Sequence, residues 1–442
     1  MTLPATISVS FDFSQGATFG YPFTIGDPIN GVIGVSQFAS TEVPDPVVDL
    51  SSVTRSIKIS RGRNIMRDTY ESGSCTVRVL DPDSYFNPQN ASSPYFGYLT
   101  PLRKIRVAAT TATTQHFLFS GYVDSYKYYY PTGQEIGYVD IICSDAFRLF
   151  QMANVSTVSG ATAGQTTGTR ITKILDQVSF PTSMRITDTG STTVQADPGT
   201  ARTSLAALKA AEFAEQGAFF IRTDGTAEFK DRTDVVGSLA VAPIEFNQTT
   251  GIPYSDLKYA FDDKLIVNQA SMTRIGGTAQ TAVNVDSSAK YFPHGTTVTE
   301  MIPETDAQVL DIAKIYVATR AETTIRIDAM TVDLLDTAVP TDTMIGLDYF
   351  DNVKITNVQP DGSTIVKTLQ VQGLAWDITP NSMKCTVTTL EPIVEGFIIG
   401  SSTYGIIGQS IMGYEEKNHG NRLSSINRRH FHRRRLQRTS KL

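Results

Sequence analysis

Two stretches decide the fold. Ile105-Arg-Val leads to Phe119-Ser-Gly-Tyr and then to a strand containing Cys143. Far along the chain, Val353-Lys-Ile leads to Val371-Gln-Gly-Leu and then to a strand containing Cys385. Apolar and polar residues alternate through these segments, the period of a half-buried β-strand. Two copies of one β-barrel would produce such an echo. Chance alternation is the competing reading, because strands of this kind all resemble one another.

Working outward from the first copy, Ser56-Ile-Lys-Ile-Ser, Cys75-Thr-Val-Arg-Val-Leu, His116-Phe-Leu-Phe and Tyr122-Val-Asp-Ser-Tyr-Lys-Tyr read as strands. Asp81-Pro-Asp, Asn87-Pro and Ser93-Pro mark the turns between them. Around the second copy, Leu265-Ile-Val-Asn, Thr324-Ile-Arg-Ile-Asp, Met330-Thr-Val-Asp-Leu-Leu and Thr368-Leu-Gln-Val-Gln read the same way. Between the copies the character changes. Residues 154–170 are Thr, Ser, Gly and Ala with almost no charge and read as a linker or surface loop. A helix follows at Ile171–Val178, and a second at Ser204–Glu215 with Leu205, Leu208 and Phe213 on its apolar side. Ala218-Phe-Phe-Ile-Arg, Asp224-Gly225 and Ala227-Glu-Phe-Lys then form a hairpin, for which Asp-Gly favours a tight primed turn. A further helix is expected from Thr305 to about Arg320. The fold class is therefore mainly β with a smaller α/β part. Two antiparallel β-barrel-like domains, 51–153 and 245–395, flank a helix-plus-hairpin α/β module at 154–244.

The chain ends differ from this body. Residues 1–50 are rich in Gly, Pro and aromatics and read as an extended arm. Residues 396–416 repeat a glycine rhythm, Phe397-Ile-Ile-Gly, Tyr404-Gly-Ile-Ile-Gly and Ile411-Met-Gly, which echoes Val32-Ile-Gly near the start. Such strips are apolar yet too glycine-rich for a helix, so they need another surface to bury them. Residues 417–442 form a basic tail.

The 442 residues carry a net charge of −6, but unevenly. Lys417 onward holds nine basic residues and no acidic one, which leaves 29 Lys+Arg against 44 Asp+Glu, or −15, in residues 1–416. An acidic body argues against nucleic-acid binding there. The basic tail reads as a solvated arm, as a strap on an acidic protein surface, or as a nucleic-acid contact. No run approaches the ~18–20 apolar residues of a membrane span, and the start shows no secretory signal. Cys75, Cys143 and Cys385 read as buried thiols, one long-range disulfide being the alternative.

No catalytic, cofactor-binding or metal-binding set emerges. His116 reads as a packed or rim side chain and His294 as a loop tip, while His419, His430 and His432 belong to the basic tail. Asp262-Asp263, Asp348 and Asp351 read as turns and solvated strand ends. The chain is expected not to be an enzyme and to hold no cofactor. Candidate site residues are instead interface residues. They are Ile33, Tyr122, Tyr128, Tyr129, Ile398, Ile399, Ile406 and Ile407, with Arg428, Arg429, Arg433, Arg434 and Arg435 of the tail. The tyrosines suit subunit contact, cross-strand packing or stacking on a carbohydrate.

In order along the chain, Ile57-Lys-Ile-Ser-Arg-Gly-Arg, Leu80-Asp-Pro-Asp-Ser-Tyr-Phe-Asn-Pro, Pro101-Leu-Arg-Lys-Ile-Arg-Val, Cys143-Ser-Asp-Ala-Phe-Arg-Leu, the hairpin from Gly217 to Arg232 and Val371-Gln-Gly-Leu-Ala-Trp-Asp-Ile-Thr-Pro form a familiar series. It resembles the minor tail proteins of long-tailed bacteriophages, the tail-tip hub group related to the baseplate hub of contractile tails. The resemblance implies a homotrimeric structural virion protein at the tail tip, made in the host cytoplasm. It implies two barrels per subunit and six around a ring, so that a threefold tip meets a sixfold tail tube. It also implies a channel closed until DNA ejection. The partners it implies are the distal tail protein, the tape-measure protein, tail fibres or other tip proteins, and transiently the exiting DNA. A receptor- or glycan-binding adhesin is the alternative function, followed by a cell-wall hydrolase. The latter is disfavoured because only about 50 residues follow Pro392.

Overall fold

A computed structural model describes residues 3–14, 16–19, 47–64, 69–112, 114–132, 135–323 and 325–391. The first strands are β1 (Thr6–Asp12), β2 (Val47–Asp49), β3 (Thr54–Asn64), β4 (Thr69–Tyr70), β5 (Ser74–Leu80), β6 (Lys104–Thr110), β7 (Gln115–Tyr129) and β8 (Tyr138–Ser144). Alternation places Ile57, Ile59, Val77, Val79, Val139 and Ile141 in the core, each at most 2% exposed. The two strands expected around His116 and Tyr122 are one, β7, whose N-terminal half pairs with β6 and whose C-terminal half pairs with β8. The expected N-terminal arm contributes a core strand as well. β1 pairs with β6 along its whole length, and Val9 and Phe11 are fully buried.

The middle unit comprises α1 (Phe147–Met152), β9 (Asn154–Val155), β10 (Gln165–Thr166), α2 (Thr167–Gln177), β11 (Arg185–Thr187), β12 (Thr193–Val194), β13 (Arg202–Thr203), α3 (Ser204–Glu215), β14 (Ala218–Ile221), β15 (Ala227–Lys230) and α4 (Arg232–Gly237). Residues 156–164 are the surface loop expected, but the stretch is anchored to the core and its last residues are helical. Val155, Val158 and Ala161 are buried, and α2 starts at Thr167 with the Thr166 hydroxyl accepting from the Thr169 amide. Gly168 lies so close to the Asp188 carbonyl that a Cβ would collide with it. In α3 the buried stripe is Ala207, Leu208, Ala211 and Ala214, whereas Phe213 faces away and packs against Tyr316 at 6.3 Å. The β14–β15 hairpin turns through three residues, not a primed two-residue turn. The Arg222 amide donates to the Thr226 carbonyl and Gly225 takes φ +92°. A glycine in that left-handed position is what a three-residue loop requires.

The second β region begins with β16 (Ile244–Asn247) and β17 (Ser255–Ala260). An inserted unit follows, with β18 (Gln269–Arg274), β19 (Gln280–Val283), α5 (Val285–Tyr291), β20 (Gly295–Met301) and α6 (Asp306–Ala318). α6 starts with a capping box between Thr305 and Gln308 and covers the small sheet β19-β18-β20. Leu265-Ile-Val-Asn is a loop, not a strand. Ile266 is buried, but the Val267 amide donates to the Arg320 carbonyl rather than to a ladder. The chain then completes β21 (Arg326–Asp333), α7 (Thr341–Ile345), β22 (Asn352–Val358), β23 (Thr364–Thr379) and β24 (Ser382–Leu390). The two strands expected at 324–335 are the single β21.

One 14-stranded sheet contains both β regions, joined where β3 pairs antiparallel with β23. On one side of that seam the order is β3-β5-β8-β7-β6-β1. On the other, β17-β21-β24-β23-β22 repeats the order β3-β5-β8-β7-β6 in the same chain sequence, and the outer strand β16 runs parallel to β22 where β1 runs antiparallel to β6. The repeat extends to backbone detail. The Leu102 amide donates to the Val123 carbonyl, and the Val123 amide to the Arg103 carbonyl. The Phe350 amide donates to the Val371 carbonyl, and the Val371 amide to the Asp351 carbonyl. Leu102 (φ +64°) and Phe350 (φ +70°) both hold the left-handed conformation. The strand after each carries its irregularity at the equivalent place, between Val123 and Ser125 in β7 and between Val371 and Gly373 in β23. The repeat therefore aligns Ile105 with Val353, as the sequence echo does, but Val123 with Val371 and Val139 with Cys385. The echoes through Phe119 and Cys143 are each four residues out of register.

Candidate assembly surfaces

The middle unit sits on both halves of the repeat. Its core includes Phe147, Phe150, Ile171, Leu208 and Phe219, together with Tyr122 from one half and Tyr349 and Phe350 from the other. Leu102, the counterpart of Phe350, packs against the same cluster. Arg61 on β3, almost fully buried, ties the three regions together. It donates to the Ile221 carbonyl at 2.9 Å, faces Asp348 at 3.4 Å and lies over the Tyr349 ring at 4.7 Å. Nearby Asp145 accepts from the Gly73 and Phe147 amides and from the Ser72 hydroxyl. Burial pushes its carboxyl up to about 6, against the lowering pull of those donors and of Arg61.

Tyr122 leaves the set of interface candidates. It is 1% exposed, its ring packs on Phe19, and its hydroxyl donates to the Ala17 carbonyl at 2.6 Å. Tyr128 and Tyr129 are at the surface, 40% and 45% exposed. They point to opposite faces of β7. Tyr126, Tyr128 and Tyr130 stack in a row with ring centroids 6.3 and 5.9 Å apart. The Tyr130 hydroxyl donates to Asp81 at 2.6 Å. On the other face Tyr129 stacks on Tyr138, and the guanidinium of Arg78, held by Asp140, covers the Tyr138 ring. Ile33, Ile398, Ile399, Ile406, Ile407, Arg428, Arg429, Arg433, Arg434 and Arg435 lie outside the described residues.

A second surface escaped the sequence reading. Tyr259 and Phe261 at the end of β17 are 53% and 70% exposed, and Ile325 beside them is 38% exposed. Lys258-Tyr-Ala-Phe carries too little alternation to announce a strand. The exposure of its large side chains in a paired strand is the signal, and only the structure displays it.

The polar candidates go to structural tasks. His116 faces Asp342 at 3.9 Å, and His294 contacts the Phe292 carbonyl and Asp263. Asp262 is held below the usual carboxylate range by Arg326, which donates to it. Asp188, Asp231 and Asp234 cluster, but Asp231 caps the start of α4 through the Thr233 and Asp234 amides, and Asp188 accepts from the Asp231 amide. Cys75, Cys143 and Cys385 are free and buried, and desolvation pushes each thiol pKa up. A cleft of ≈570 Å³ opens at the end of the seam, between Leu3, Ile7, Thr54 and Pro380. Among the described residues that line it, Arg55 is the sole charged side chain. No helix among the described residues is long and apolar enough to cross a membrane.

The repeated β sheet straddled by an α/β unit is similar in fold to solved phage tail proteins. Among solved structures, the tail protein from Neisseria meningitidis MC58 matches with TM-score 0.53 and 11% identity, over 88% of this chain and 96% of that one. The 43 kDa tail protein of prophage MuSo2 from Shewanella oneidensis matches with TM-score 0.50 and 11% identity, over 78% of this chain and 96% of that one. No family model matches the sequence. No curated protein matches it. At 11% identity the likeness is one of fold.

Proposed function

We propose that this protein is a structural component of a phage tail tip, and that it acts as a homotrimeric hub. The observation that carries the reading is the internal repeat, two copies of one strand order joined edge to edge within a chain. Three such chains present six near-equivalent units, which is what a threefold tip needs in order to seat on a sixfold tube. The fold shared with tail proteins supports the setting.

In this reading the work is mechanical. One face of the ring seats on the distal tail protein. The ring closes the channel until ejection, and the tape-measure protein and DNA leave through it. Tail fibres or other tip proteins attach around it. The apolar strip 396–416 is buried between subunits, and the basic tail 417–442 lies on an acidic neighbour or faces the channel, where it meets exiting DNA. The proposed location is the virion tail tip. Light scattering of the purified chain mixed with its distal-tail partner tests the assembly. A ring mass containing three chains of 48.2 kDa each is expected. A chain that stays monomeric in that mixture would overturn the reading. Zymography on peptidoglycan is expected to show no clearing.

A further inference from the structure

The seam inside the chain describes a contact that each chain can make again with its neighbour. Within the chain, β3 pairs with residues 373–378 of β23. The repeat maps β23 onto β7 and β3 onto β17. By that mapping Gly373, Leu374, Trp376 and Ile378 correspond to Ser125, Tyr126, Tyr128 and Tyr130. Lys58, opposite Thr76 of β5, corresponds to Lys258, opposite Ala329 of β21.

Both mapped edges are open among the described residues. β17 ends the strand order of the sheet. The C-terminal half of β7 pairs with β8 on one side, while β6 leaves its other side at Tyr122. The side chains record the difference. Leu374, Trp376 and Ile378, which the seam covers, are 2%, 4% and 3% exposed. Of their counterparts Tyr128 is 40% exposed, and Tyr126 and Tyr130 are half-buried. The facing edge carries Tyr259 and Phe261, the large exposed residues described above. Pairing of β17 with β21 is irregular on either side of Lys258, a feature that restrains an open edge from indiscriminate pairing.

We propose that β17 of one copy pairs antiparallel with residues 125–130 of β7 in the next copy, so that the sheet runs on from chain to chain. The occupant of each edge is thus a second copy of this chain, joined head to tail. This rests on the hub reading and names its subunit contact. In the register of the inner seam, where Lys58 stands opposite Asp377, Lys258 stands opposite Tyr129. There its ammonium comes beside Glu135, which accepts from the Tyr129 hydroxyl at 3.1 Å. Tyr259 then meets Tyr128, an aromatic pair in the place where Ile59 meets Trp376.

Cysteine cross-linking tests this in the full-length protein assembled with its distal-tail partner. Lys258→Cys and Tyr129→Cys are made singly, mixed, and oxidised with copper phenanthroline. The three native thiols are buried, and the wild-type chain provides the background. The mixture is expected to give a covalent dimer that neither single variant gives. The double variant is expected to give a covalent ladder ending at the trimer. A trimer by light scattering that forms neither product would overturn the strand pairing and leave the threefold reading standing. A monomer would overturn both. Tyr128→Asp, with circular dichroism unchanged, is expected to lower the assembled fraction at least tenfold. Unchanged assembly in that variant would also overturn the pairing.

Discussion

The inner seam and the open edges are the same piece of architecture in two settings. At the seam, Gly62 and Gly373 face each other so closely that a Cβ on Gly62 would sit 2.8 Å from the Gly373 Cα. Trp376 is enclosed beside them, and Lys58 approaches Asp377 at 3.9 Å at the rim. At the equivalent positions on the open edge, serine replaces Gly373 and tyrosine replaces the tryptophan. The backbone plan is shared. The side chains differ: one contact is made within the chain, and under the proposed pairing the other is left for a partner. Glycine and tryptophan suit a permanent, dry junction. Tyrosines tolerate water until they are covered, because each keeps a polar tip.

The largest expected contrast is at the glycine pair. Gly62→Val places side-chain carbon against backbone on the facing strand, so loss of soluble folded protein is expected, or a destabilisation of about 3 kcal/mol or more by thermal or urea melts. Ser125→Val, at the counterpart of Gly373, is expected to change stability by no more than about 0.5 kcal/mol. Equal effects would break the contrast between the covered seam and the open edge. Next is the aromatic pair. Trp376→Ala removes an enclosed side chain and is expected to cost about 3–5 kcal/mol. Tyr128→Ala in the isolated chain is expected to cost about 1 kcal/mol or less.

A smaller effect follows from Asp145. Its carboxyl, at about 6 in the folded chain, lies above the ordinary value of 3.8. The folded state therefore holds a proton that the unfolded state releases. The contribution is fully present below about pH 4 and is lost as pH rises through about 6. Melts across that window are expected to show wild type losing stability relative to Asp145→Asn as pH rises. A flat difference would remove Asp145 from the buried junction of the three regions. The smallest effect on folding is expected from deleting 417–442, with an unchanged melting temperature and weakened incorporation into particles. Undiminished incorporation would reduce the basic tail to a solvated end.

Local chemistry made much of this legible. The bounds of α3, the hairpin at 218–230 and the strands around Cys75 and Cys143 follow from propensity and alternation. So did the first part of the repeat, because Ile105 and Val353 do correspond. The rest of the echo slipped by four residues for a physical reason. Side chains alternate with period two, so any even slip keeps apolar residues facing inward and leaves the pattern equally good. Only the hydrogen-bond register, pinned by Leu102 and Phe350, fixes the alignment. The opposite failure hid β17, whose residues are exposed on both faces and so lack the burial that writes alternation into a sequence. Tyr122 and Tyr128 look alike in sequence, yet one is sealed under the middle unit and the other is open, a difference set by residues far away in the chain.

The central claim is that one chain supplies two equivalent units to a ring. A reconstruction of the intact tail tip, made without imposed symmetry, tests it most directly. The account predicts three copies of this chain and six repeats in one ring, with the contact between chains superposing on the β3–β23 seam. A tip that lacks the chain, or holds it in a number other than three, would contradict the account.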